Sequence, residues 1–124
     1  MRKIVLGLIM ILPLALVAQP QGRPQVEMTL KGLVIDSISE KPVEYASIAV
    51  FSLRDSALVG SGISNQEGYF EIKLKRPGRF YVTVYFIGYE KLIISPVEMR
   101  QDQGTTKNLG QIILVPTATS LDGV

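Results

Sequence analysis

Apolar residues recur at every second position in short runs, and turn residues break those runs about every ten residues. At 69–74, Phe70, Ile72 and Leu74 alternate with Glu71 and Lys73, the two-residue period of a strand with one buried face. The period returns at 28–36, where Leu30, Gly32 and Val34 share one face and Leu33 and Ile35 the other. It returns again at 45–53 (Ala46, Ile48, Val50), at 79–87 (Phe80, Val82, Val84, Phe86) and at 109–115 (Ile112, Leu114). A glycine-containing strand is expected at 58–64, and another at 89–95 that Pro96 shortens or confines to a sheet edge. Residues 28–116 are thus predicted to be all-β, a single seven-stranded antiparallel Greek-key β-sandwich. Between the runs, Gly68 suits the positive φ that closes a hairpin over 65–68, and Gly88 marks a bend. Pro77 and Gly78 set a second turn, in which Pro77 fixes φ and Gly78 tolerates a left-handed conformation, and 99–108 reads as a polar loop.

The N-terminus needs separate treatment. Met1, Arg2 and Lys3 form a basic start, 4–17 is almost wholly apolar, and Ala18 precedes the polar Gln19-Pro20-Gln21. That is the layout of a signal peptide over 1–18, with cleavage expected after Ala18. The run is too short for a membrane-spanning helix and is broken by Pro13, so no transmembrane helix is expected in the mature chain. Residues 19–27 hold two prolines and a glycine with little to bury, which suggests a flexible arm. No cysteine follows the leader, so a lipid anchor on a new N-terminal cysteine is excluded. Without Arg2 and Lys3 the 13 basic residues fall to 11, matching the 11 acidic ones, and this balance gives nucleic acid nothing to bind. With no cysteine in the sequence, the fold depends on apolar burial alone.

Reactive chemistry is sparse. Histidine and cysteine are both absent, which removes a Ser-His-Asp triad, a thiol nucleophile and an ordinary zinc site. The carboxylates Asp36, Glu40, Glu44, Asp55, Glu67, Glu71 and Glu90 stand singly among turns and outward positions, the pattern of a solvated surface. Asn65-Gln66-Glu67-Gly68 faintly suggests a calcium loop, but an EF-type site needs ligands spread over about twelve residues, and a turn accounts for it. Lys73, Lys75, Arg76 and Arg79 form a basic cluster that could meet anionic lipid or an acidic partner, although hairpin charge is usually just solvated. The outward Tyr69, Tyr81 and Tyr85 could stack on a glycan, yet cross-strand pairing is their more usual role. No catalytic, cofactor-binding or metal-binding residue is therefore assigned, and the chain is expected not to be an enzyme.

Leu30-Lys31-Gly32-Leu33-Val34-Ile35-Asp36 and the following 41–48 segment, Lys-Pro-Val-Glu-Tyr-Ala-Ser-Ile, resemble the opening of carboxypeptidase regulatory-like domains. Asp55-Ser56, Gly62, the 65–70 turn, Pro77-Gly78, Ile87-Gly88-Tyr89 and Leu109-Gly110-Gln111-Ile112 continue the likeness in order. It is closest to the version at the N-terminus of TonB-dependent outer-membrane receptors of Bacteroidetes-type bacteria. The resemblance implies a transthyretin-like or prealbumin-like sandwich in the periplasm, a non-catalytic accessory domain of a receptor for nutrient uptake. Its partners would be other receptor domains or periplasmic proteins. Leu121-Asp122-Gly123-Val124 resembles the start of the segment leading into a receptor plug, which makes 117–124 a linker and the chain an expected fragment. That fold also hosts a hydrolase dependent on histidines, which this chain lacks. The alternative is a free-standing secreted binding or adhesion module for glycan or protein.

Overall fold

The computed structural model describes residues 26–117, and Gly7 apart from them. The expected leader over 1–18, most of the arm over 19–27 and residues 118–124 of the linker lie outside the described residues. Seven strands follow one another: β1 (Met28–Asp36), β2 (Ser47–Ser52), β3 (Leu58–Ile63), β4 (Tyr69–Leu74), β5 (Gly78–Tyr85), β6 (Leu92–Met99) and β7 (Thr106–Leu114). A 3-10 turn, Gln101–Gln103, lies between the last two. None of the described helical segments is long and apolar enough to cross a membrane.

The strands form two sheets, ordered β4-β1-β7 and β3-β2-β5-β6. The alternation read in the sequence is the alternation of burial. Leu30, Val34, Ile48, Val50, Phe70, Ile72, Leu74, Phe80, Val82, Val84, Ile112 and Leu114 all point into one core, joined by Met28, Val97 and Met99. Each such side chain contributes about 1.5–3 kcal/mol by leaving water, which is how the fold stands without a disulfide.

Pairing is antiparallel throughout except between β1 and β7, which run parallel. The reason is geometric. Strand β6 ends where β1 begins, so the short 100–105 connection delivers β7 to the same end, and it can only run alongside β1 in the same direction. Strand β7 also starts earlier than expected, at Thr106, because Thr106 to Asn108 pair with Thr29 to Lys31. Part of the region predicted to be loop is therefore strand.

The sixth strand is displaced from its expected 89–95 to Leu92–Met99. Tyr89 instead makes an isolated bridge to Pro116. Pro96 lies inside β6 rather than ending it, because β6 is an edge strand. An extra residue is accommodated there: Phe80 pairs with Val97 but Val82 with Ile94. Such a bulge tolerates the missing N–H of proline. Gly68 has the expected positive φ, +82°. Gly78 makes no use of the left-handed conformation it could tolerate; it opens β5, and a methyl carbon added there would meet the Phe80 ring at 3.2 Å.

A buried serine locks the entry to β2. Ser64, 2% exposed, accepts a hydrogen bond from the Ala46 N–H at 2.8 Å and donates one to the Val43 carbonyl at 2.6 Å. Beside it, Asn65 Oδ1 accepts from the backbone N–H groups of Glu67 and Tyr69, both at 3.0 Å, and so shapes the 65–68 hairpin.

Candidate functional site

The acidic residues do not converge. Among the described residues no three Asp, Glu, His or Cys side chains gather as a metal cluster would require. Asn65, the residue that lent 65–68 its calcium-loop character, has its side-chain oxygen committed to its own backbone. Asp36 is likewise occupied: Oδ1 accepts from the N–H groups of Ile38 and Ser39 at 2.7 and 2.9 Å, and Oδ2 from the Tyr89 hydroxyl at 2.5 Å. The Tyr89 bond, followed by the backbone bonds, holds the Asp36 carboxyl below its ordinary range. The same bond pushes the Tyr89 phenol up. This pair ties the end of β1 to the 86–91 connection, a structural role. Asp55 accepts from the Ala57 N–H at 3.1 Å, and that bond, with one from Ser52, lowers its carboxyl.

The two outer faces of the sandwich differ sharply in charge. In the sheet β4-β1-β7, Lys31 pairs across from Glu71 and Thr29 from Lys73, and Lys73 reaches Glu27 at 3.9 Å. That is an ordinary solvated face. In the sheet β3-β2-β5-β6 the only charged residues in four strands are Arg79 and Glu98. They neutralise each other at 3.2 Å on the rim. Inside that rim the outward positions run Ile63, Ser47, Tyr85 in one cross-strand row and Ser61, Ala49, Thr83, Ile93 in the next. Phe51 and Tyr81 follow, with rings stacked 5.0 Å apart. Ile63, Tyr85 and Ile93 are 64%, 49% and 59% exposed. A sheet with one solvated face ordinarily turns polar, charged residues to water. This face instead has the charge-poor, aromatic make-up of an interface core.

The three tyrosines singled out in the sequence are therefore divided. Tyr81 and Tyr85 lie on the charge-poor face, and Tyr69 lies on the other sheet opposite Leu33. The Tyr81 ring is engaged in the cross-strand stack.

The basic cluster is also redistributed. Lys73 and Arg79 are held in ion pairs, while Lys75 and Arg76 stay on the β4–β5 turn. Arg54 joins them from the neighbouring β2–β3 turn, a contribution the linear sequence did not reveal. Between the two turns lies an open cleft of about 870 Å3, with Leu53, Leu58 and Val59 among its lining residues.

A carboxypeptidase regulatory-like domain model matches residues 29–110. No curated protein sequence matches the chain significantly. Among solved structures, the chain is similar to 5-hydroxyisourate hydrolase of Klebsiella pneumoniae, with a TM-score of 0.57 and 14% identity over 72% of this chain and 90% of that one. It is similar to the major pilin subunit BcpA of Bacillus cereus, with a TM-score of 0.57 and 14% identity over 74% of this chain and 31% of the pilin. A cohesin–X-dockerin complex of Acetivibrio cellulolyticus gives a TM-score of 0.54 and 19% identity over 78% of this chain and 63% of that chain. At such identities the likeness is one of fold, shared by proteins of unrelated roles. With about two thirds of its length matched, from β1 into β7, the chain belongs to the carboxypeptidase regulatory-like domain family.

Proposed function

We infer that this domain is a non-catalytic interaction module of an exported protein, and that it docks through the outer face of β3-β2-β5-β6. The observation that carries this reading is the absence of net charge across those four strands, whose charged residues form one ion pair at the rim. Burying such a face requires no charge to be desolvated alone, and the exposed Ile63, Tyr85 and Ile93 provide apolar area. The absence of histidine and cysteine from the sequence agrees with a role that needs no nucleophile or general base.

The context we propose is the accessory domain of a TonB-dependent outer-membrane receptor for nutrient uptake, on the periplasmic side of the outer membrane. The signal-peptide-like start and the receptor-like run of motifs through 30–48 support it. Fractionation of producing cells tests this context. Outer-membrane fractions should contain a polypeptide that includes this domain, begins after Ala18 and is attached to a barrel. Recovery of the domain as a free secreted protein, with no outer-membrane component, would refute it.

The second reading, a free-standing secreted module for glycan or protein, is favoured by the exposed Tyr85 and by likenesses to a pilin and a cohesin–X-dockerin complex. Calorimetric titration with oligosaccharides distinguishes the two. Saturable heat lost in Tyr85→Ala supports glycan binding, and its absence counts against it.

A further inference from the structure

The charges of the sandwich are sorted between its two ends. One end carries the β2–β3 turn, the β4–β5 turn and the 100–105 connection; the other carries the turns at 37–46, 64–68 and 86–91. The second end holds Glu40, Glu44, Glu67 and Glu90, with Asp36 at the end of β1, against Lys41 and Lys91. At the first end, Arg79 pairs with Glu98 and Arg100 with Asp102, each at 3.2 Å, which leaves Arg54, Lys75 and Arg76 without an ion-pair partner among the described residues. Asp55 is the one acid among the described residues that line the cleft, and its carboxylate is bonded into its own turn. The three cations edge the open cleft, and Leu58, 61% exposed, stands with Leu53 and Val59 along it.

We propose that this cleft is a docking site for an extended acidic segment of a partner protein whose carboxylates alternate with apolar side chains. Cations from two different turns flank a concave apolar strip, so an occupant has to enter the cleft to meet both. An extended chain presents side chains alternately and can place carboxylates at the edges and an apolar group on Leu58. A bilayer is too flat to enter. The site is separate from the charge-poor sheet face and does not depend on it.

The test is fluorescence anisotropy of a fluorescein-labelled octapeptide of alternating glutamate and leucine, titrated with the purified protein at low ionic strength. Saturable binding is expected that weakens as salt is raised, because the three cations are exposed and screened. It should weaken about fivefold or more in the Arg54→Gln, Arg76→Gln double variant and also in Leu58→Ser. The Lys41→Gln, Lys91→Gln variant, altered at the opposite end, should bind as the parent does. All these positions are exposed, and matching circular dichroism will confirm that each variant folds. Equal affinity for a lysine-leucine octapeptide, indifference to the arginine substitutions, or binding to phosphatidylglycerol vesicles in place of the peptide would each overturn the assignment.

Discussion

Replacing Ser64 with alanine removes one oxygen and leaves two backbone groups without partners. The hydroxyl is buried, bonded to the Ala46 N–H at 2.8 Å and the Val43 carbonyl at 2.6 Å, so water cannot substitute without opening the turn. Each buried group left unsatisfied costs about 1–3 kcal/mol, with carbonyls towards the lower end. The expected loss is therefore about 2–4 kcal/mol, a large share of the roughly 5–15 kcal/mol that holds a domain of this kind folded. With a urea dependence of about 1–1.5 kcal/mol per molar for so small a domain, the unfolding midpoint should fall by about 2–3 M. Far-ultraviolet circular dichroism across a urea series measures it. Ser61→Ala, at an exposed position of β3, is the control and should stay within about 0.5 kcal/mol of the parent. If the two variants unfold at the same urea concentration, the serine does not lock β2 as argued.

Gly68→Ala should prevent accumulation of folded protein or cost more than about 2 kcal/mol, since φ is +82° and the added carbon would sit 2.6 Å from the Val34 carbonyl oxygen; soluble yield and thermal melting report it. Gly60→Ala should cost about 1–3 kcal/mol, because the new methyl meets Leu74 Cδ2 at 2.8 Å and Ile72 Cγ2 at 2.9 Å where the sheets close, and urea unfolding measures it. Tyr89→Phe should remove a pH-dependent part of stability. The lowered Asp36 carboxyl contributes above its ordinary value of 3.8 and loses that contribution as pH falls through the folded value. The raised Tyr89 phenol contributes below 10.0 and loses it as pH rises through the folded value. The difference between parent and variant should therefore be flat at neutral pH and shrink at both extremes, and a constant difference at all pH values would show the bond to be irrelevant. A double-mutant cycle on Phe51→Ala and Tyr81→Ala should give a coupling of about 0.5–1.5 kcal/mol for the stacked rings.

The core was legible because burial on a strand follows a two-residue period, and β1 and β4 occupy the limits that their alternation marks. Strand β7 was read short because its first residues, Thr106 to Asn108, are polar and owe their extended form to pairing with β1 rather than to their own composition. Strand β6 was misplaced because proline is usually taken to end a strand, and here an edge bulge absorbs it. Gly78 was given a turn conformation that the strand start does not require.

The interaction surfaces were less legible than the core. Nothing in the linear order says that β2, β3, β5 and β6 share one sheet, so the absence of charge across it emerges only when four separate segments are aligned. Arg54 is some twenty residues from Lys75 and Arg76 in sequence and faces them only because two turns meet at one end. The bond between Asp36 and Tyr89 spans 53 positions and has no local signature.

The central claim is that the outer face of β3-β2-β5-β6 is where this domain meets its partner. Site-specific photo-crosslinking in producing cells tests it most directly, with a benzophenone amino acid placed in turn at 63, 85 and 93 and, on the other sheet, at 71 and 73. The account predicts a discrete protein adduct from the first three positions and none from the last two. Adducts of equal yield from both sheets, or only from 71 and 73, would contradict it.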